Sequence, residues 1–235
     1  MIYLDNSATT KPLPDVLQTF VQVSEQYYAN PASIHDAGNV TNQLLTKARE
    51  QIANILKTEA KEIIFTAGGT EANNFAVYSA SKTQQHIGKH IITTAIEHPS
   101  ILQSVKRLED EGFEVDYLDV DAYGVVSLEQ LASKLRKDTI FVSVMHVNNE
   151  MGAIQPIEEI AKLVHEKSRA LFHVDAVQSF GKLPVQFNGE AGPDMISVSG
   201  HKIHSVKGSG FLALRRPFTM KPFIVGGGQE FGLRS

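Results

Sequence analysis

Leu171-Phe172-His173-Val174-Asp175-Ala176-Val177-Gln178 is the stretch on which the reading of this chain turns. Leu171 to Val174 is a nearly continuous apolar run, too short for a helix and not alternating. Such a run suits a strand buried on both faces of a mainly parallel sheet. It ends in an acid, Asp175, with Gln178 close behind. A carboxylate at the end of a buried strand is costly unless a cationic partner offsets it. Asp175 therefore reads either as half of a structural salt bridge or as a functional group.

Similar runs lie on either side, at Ile63-Ile64-Phe65, Ile91-Ile92, Thr139 to Val144, Met195 to Val198 and Phe211 to Leu214. Helical stripes alternate with them: Leu13, Val16, Leu17, Phe20 and Val21; Val40, Leu44, Ala48, Ile52 and Ile55; Leu128, Leu131, Ala132 and Leu135; Ile157, Ile160, Ala161 and Val164. The order predicts an α/β fold, a mainly parallel sheet between helices. No repeat, low-complexity tract or linker divides the chain, and its loosest part is Gly226-Gly227-Gly228 through Ser235.

Composition narrows the function. The chain has 235 residues, 22 Lys+Arg against 26 Asp+Glu, and a net charge of -4. That is enough chain for a sizeable core. A mildly acidic chain without a basic run is a poor binder of nucleic acid. With 42% hydrophobic and 20% charged residues it is globular and not disordered. Cysteine is absent, which excludes disulfide scaffolds, thiolate zinc sites and a cysteine nucleophile within these residues. Met1 to Asp5 shows neither the basic region nor the apolar run of a secretory signal. No stretch reaches the roughly 20 apolar residues of a membrane span. A cytoplasmic protein, with no membrane or direct nucleic-acid partner, is the expectation.

In an open parallel sheet, ligands bind at the carboxyl ends of the strands. After Ile63-Ile64-Phe65 comes Thr66-Ala67-Gly68-Gly69-Thr70-Glu71, a Gly-rich turn opening a helix. Its backbone N–H groups and the Thr70 hydroxyl suit an anion, although the same turn can be a plain strand-helix junction. After Ile91-Ile92 comes Glu97-His98-Pro99-Ser100, where the proline marks a helix start and places His98 at the sheet edge. After Met195 to Val198 comes Ser199-Gly200-His201-Lys202-Ile203-His204. Lys202 is a candidate amine nucleophile. Lys207 competes, but Gly208 beside it suggests an exposed turn. His201, His204, His173 and Asp175 form an alternative metal set, disfavoured because Gly200 and Ser205 argue against the helix that would align the first two. An anion cradle, an imidazole, a carboxylate and a lysine at successive strand ends are together what pyridoxal phosphate needs.

The same residues resemble the cysteine desulfurases of the class V aminotransferase group. The likeness begins at Tyr3-Leu4-Asp5-Asn6-Ser7-Ala8-Thr9-Thr10 and continues through Asn30-Pro31-Ala32-Ser33-Ile34-His35 and Gly69-Thr70-Glu71-Ala72-Asn73-Asn74. It takes in Glu97-His98-Pro99-Ser100, Met145-His146-Val147-Asn148-Asn149-Glu150-Met151-Gly152, His173 to Ser179, Ser199-Gly200-His201-Lys202 and Gly226-Gly227-Gly228-Gln229-Glu230.

The resemblance implies a seven-stranded, mostly parallel sheet of fold-type I, in a homodimer that binds pyridoxal 5'-phosphate. Lys202 would carry the cofactor as a Schiff base and His98 would stack on its ring. Asp175 would pair with the pyridinium and Gln178 with the phenolic oxygen. Gly69, Thr70, Ser199 and His201 would hold the phosphate, and Asn149 would lie beside the ring. The implied reaction takes sulfur from L-cysteine, leaves alanine, and passes a persulfide to an acceptor protein for iron-sulfur cluster assembly or tRNA thiolation. By the same resemblance residues 1–12 are a leading segment and 13–235 the cofactor-binding large domain. The small domain, with its catalytic cysteine, would be missing, so the chain alone is expected to be inactive. Departures from the pattern are Ser7, Ser205-Val206 and Phe231. Two other readings stay open: another class V enzyme, such as a selenocysteine lyase or small aminotransferase, and a non-catalytic binding fragment.

Overall fold

Each apolar run named above forms a strand, and its alternate residues belong to different layers. In this computed structural model residues 2–187, 189, 191–215 and 220–235 are described, and Met1 of the leading segment lies outside them. The strands are β1 (Ile63–Thr66), β2 (His90–Thr94), β3 (Glu114–Leu118), β4 (Thr139–Met145), β5 (Leu171–Asp175), β6 (Met195–Ser199) and β7 (Gly210–Leu214). They form one seven-stranded sheet in the order β1-β7-β6-β5-β4-β2-β3. β7 runs antiparallel to both of its neighbours, and the other pairs are parallel.

The helices are α1 (Pro14–Gln26), α2 (Asp36–Leu56), α3 (Gly69–Gln84), α4 (Pro99–Asp110), α5 (Leu128–Lys134) and α6 (Ile157–Lys167). Ile64, Ile91, Phe141, Leu171 and Met195 pack with α3 and α4 on one face. Their sequence neighbours Ile63, Ile92, Val142, Phe172 and Ile196 pack with α2, α5 and α6 on the other. Two covered faces explain why the strands read as continuous apolar runs. β3 escaped the sequence reading because Glu-Val-Asp-Tyr-Leu is an edge strand with polar residues in alternation. No helix among the described residues is long and apolar enough to cross a membrane.

Two helical stripes depart from expectation. α1 forms, but none of its residues is buried, and Leu17 and Phe20 remain 44% and 56% exposed. On α2 the buried positions are Gly38, Arg49, Ala53 and Leu56, while Val40, Leu44 and Ile55 of the expected stripe face outward.

Arg49 sits on that buried face because an acid meets it. Its guanidinium forks onto Glu230 at 2.7 and 2.8 Å and also donates to the Ile63 carbonyl. Phe65 and Phe231 lie against it, with ring centroids 4.5 and 5.0 Å away. Glu230 also accepts the Phe65 N–H at 2.7 Å, so the Gly-rich segment is pinned to β1. Glu230 and Phe231 hold left-handed φ angles of 44° and 59°, a backbone state that non-glycine residues adopt at a cost of about 1 kcal/mol each. Arg49→Ala leaves the Glu230 carboxylate without its cation, and urea denaturation should show a loss of about 3 kcal/mol. A loss under about 1 kcal/mol would mean the Phe65 N–H alone satisfies Glu230.

Candidate active site

At the carboxyl edge of the parallel strands the chain encloses a cavity of about 1120 Å³. Gly69, Thr70, His98, Asn149, Asp175, Gln178, Ser199, His201 and Lys202 all line it. Lys207 is outside the lining, exposed on the turn before Gly208, which holds a φ of +82°.

One end of the cavity is made by β1 and α3. Gly68 precedes the helix with φ +150° and ψ -177°, and no side chain caps the helix. A Cβ on Gly69 would lie 2.8 Å from Val177 Cγ2 and 3.3 Å from Ser199 Cβ, so glycine is required where the helix start meets the ends of β5 and β6. The exposed Thr70 hydroxyl and the buried Ser199 stand on either side.

The acid end is Asp175, 4% exposed at the last position of β5. Its carboxylate is held by neutral donors: Val177 N–H at 2.9 Å and Asn73 Nδ2 at 2.7 Å. Burial pushes the Asp175 carboxyl upward, opposed by those two bonds and by the positive fields of His98 and Lys202. The sequence reading anticipated a cation; the structure supplies an amide in contact and the Lys202 ammonium across the cavity.

Asn73 extends the contact. The same Nδ2 donates to Ser100 Oγ at 2.9 Å, and Ser100 Oγ lies 2.8 Å from His98 Nδ1. His98 Nδ1 also accepts the Ser100 N–H at 3.1 Å and caps α4, while the ring itself stays exposed. With Nδ1 accepting, the proton of the neutral ring belongs on Nε2. Asn73 and Ser100 stood in quoted motifs without a role. An amide and a hydroxyl on helices carry no signature of their own, and only the fold shows that they join imidazole to carboxylate.

Lys202 closes a short turn, Gly200–Lys202, directly after β6. Burial and the charge of Lys182 push its ammonium below the usual lysine range, against the pull of Asp175 and Asp5. That raises the share of free amine, as a nucleophilic lysine requires. Lys202 Nζ donates to the Ser7 carbonyl, which also accepts Gln178 Nε2 at 2.8 Å. His201 Nδ1 meets Thr9 Oγ1 at 3.0 Å, and the His201 carbonyl accepts the Thr10 N–H at 2.8 Å. The leading segment is thus strapped over the lysine turn. Asn149 is half-buried on the loop after β4.

The histidines of the alternative metal set are dispersed. His173 lies inside the sheet with its nitrogens 2.9 Å from Ser143 Oγ and 2.8 Å from Ser197 Oγ, and burial lowers its pKa to about 3. His204 is exposed and bonds the Lys11 carbonyl.

A mainly parallel sheet with an anion cradle, a buried acid and a lysine at its carboxyl edge has the architecture of a fold-type I large domain. Comparison makes the class specific. The family profile "Aminotransferase class-V" matches residues 2–233, and the chain belongs to that family. It is 44% identical over 235 residues to a "Cysteine desulfurase" of a Nostoc species, covering 100% of this chain and 58% of that protein. It is 45% identical over 237 residues to "Cysteine desulfurase, mitochondrial" of Candida albicans, covering 100% of this chain and 48% of the relative. Among solved structures, a "NIFS-LIKE PROTEIN" superposes with a TM-score of 0.96 at 41% identity, covering 100% of this chain and 64% of that one. "SspA in complex with cysteine" gives 0.95 at 37% identity, covering 100% and 67%. The chain therefore spans 58% of the Nostoc relative and 48% of the Candida one.

The Asn73 bridge generates a test. Asn73→Ala removes a donor from a buried carboxylate and should cost about 1–3 kcal/mol in urea denaturation. A carboxyl whose folded-state pKa is raised contributes stability at low pH and loses it as pH rises. Removing Asn73 raises that pKa further, so the deficit should be larger at pH 8 than near pH 5. Equal deficits at both would detach Asn73 from the Asp175 charge.

Proposed function

We propose that residues 13–235 are the cofactor-binding domain of a pyridoxal-phosphate-dependent cysteine desulfurase, with residues 1–12 as the segment that reaches back over its lysine. The observation that carries this reading is the convergence of all nine candidate residues on one cavity, in a chain whose relatives bear that name.

The residues present fit the cofactor. The uncapped α3 start, Thr70, Ser199 and His201 offer donors for a phosphate. Asp175 is a buried acid held by neutral donors, suited to keeping a ring nitrogen protonated. Lys202 offers a low-pKa amine. When bound, the cofactor supplies the electron sink for charge developed at the substrate α-carbon. Lys202 Nζ would hold the cofactor through its aldehyde and, when free, would carry a proton to or from the substrate. The exposed His98 ring offers a flat face with its proton on Nε2. Asn149 and Gln178 would orient the bound groups, and the strap at Ser7 to Thr10 holds the lysine turn in place.

The proposed substrate is L-cysteine and the proposed products are alanine and a persulfide for an acceptor protein, in a cytoplasmic homodimer. The 235 residues contain no cysteine, so the thiol that receives the sulfur has to be supplied from outside them.

Borohydride reduction after incubation with pyridoxal phosphate should label Lys202. Lys202→Ala should abolish the adduct and Lys207→Ala should leave it, as read by peptide mapping; an adduct on Lys207 would overturn the assignment. With L-cysteine, a polypeptide bearing the thiol and excess dithiothreitol to reduce the persulfide, the loaded protein should form equal amounts of sulfide and alanine. The 235 residues alone should form neither catalytically. Formation of a keto acid instead would make the protein an aminotransferase.

A further inference from the structure

Glu97 precedes the ring-bearing His98 and is 4% exposed. One carboxyl oxygen accepts two bonds, from Thr94 Oγ1 at 2.8 Å and from the Met145 N–H at 2.8 Å. The other, Oε2, is buried and has no hydrogen-bond partner among the described residues. Such an arrangement suits a protonated acid, in which one oxygen acts as a carbonyl and the other carries the hydrogen. An ionised group with a bare, buried oxygen would be far more costly.

The contacts join two segments of the site. Thr94 ends β2 and leads into the His98 turn; Met145 ends β4, lines the cavity and leads to Asn149. Asn148 Nδ2 reinforces the junction by donating to the Ile96 carbonyl at 3.0 Å. The titratable groups on the segments around Glu97 are His98 on its own turn, His146 after β4 and Asp175 on β5. Of these, Asp175 acts on Glu97 electrostatically, and its negative field opposes a second charge. The two acids differ in their support. Asp175 has Val177, Asn73, His98 and Lys202 on its side, while Glu97 has only its two hydrogen bonds. Burial, the largest influence, moves the Glu97 carboxyl to about 8.

We propose that Glu97 is a positioning residue of the site: an uncharged acid whose carbonyl oxygen ties the end of β4 to the turn carrying His98, and whose proton leaves the negative charge of the floor to Asp175. The proposal rests on contacts within the chain and holds whatever occupies the cavity. Its effect on cofactor affinity rests on the pyridoxal-phosphate reading.

Glu97→Gln, in the 235-residue chain, keeps the shape and removes the ionisation. An acid with a raised folded-state pKa stabilises the fold fully below its unfolded value and loses that contribution as pH rises to the folded value. All other titrating groups are common to both chains. The melting temperature of E97Q minus that of the parent should therefore rise by several degrees between about pH 5 and about 8, then level off. The His98 ring resonances of the parent should show an inflection near pH 8 that E97Q lacks. A flat melting difference, an unfolded E97Q, or an inflection that is absent from the parent or shared by E97Q would overturn the proposal. At neutral pH, E97Q should bind pyridoxal phosphate within about threefold of the parent, and a loss of tenfold or more would mean the site needs an ionised Glu97. If the parent takes no pyridoxal phosphate, the cofactor reading fails, and the melting and resonance data still decide the role of Glu97.

Discussion

A carboxylate taken out of water at the end of β5 is the constraint around which this fold is organised. Asp175 could not stay buried on an apolar floor, and the strands beside it grade from apolar to polar toward that end. On the α3–α4 face the lowest row is Ile91, Phe141 and Leu171. Above it come Thr93, Ser143 and His173, with Met195 in register on β6. The top row is Met145, Asp175 and Ser197, and Met145 and Asp175 line the cavity with Ser199 beyond them. The polar groups between satisfy one another, through the His173 ring to Ser143 and Ser197 and the Thr93 bond to the Ser143 carbonyl, and separate the dry core from the charged edge. Without them, the acid would rest directly on aromatic and aliphatic carbon.

The site is polarised across its width. Amine and acid influence each other across the cavity: Asp175 pulls the Lys202 pKa up while burial and Lys182 push it down. Helix starts supply the remaining ends, the uncapped start of α3 and the start of α4 that seats the His98 ring. Each functional group therefore stands on the end of a regular element, with backbone geometry fixed by the sheet.

Most of this was legible in the sequence because strand ends are legible. The runs at Ile63, Ile91, Thr139, Leu171, Met195 and Phe211 marked the strands, and residues after the first five proved to share one cavity. β3 was not legible, since an edge strand needs no continuous apolar run. The stripe on α2 misled for a related reason: its buried face includes Arg49, which Glu230 and two aromatic rings make tolerable. Periodicity registers apolar side chains and overlooks a cation whose partner lies 181 residues away. Asn73, Ser100 and the Ser7 carbonyl were unreadable on the same principle, because their roles are set by which segments meet.

The strap across the lysine turn has a kinetic consequence. Thr10 Oγ1 bonds the His201 carbonyl at 2.8 Å across a sequence separation of 191 residues. Closing so long a loop carries an entropic penalty before any local contact rewards it. During synthesis the strap has no docking place until the ribosome has released the β6 turn. The lysine turn therefore acquires its strap at a late stage of folding, after the central strands have assembled. Complete protection of the lysine turn would report that the whole chain has found its topology.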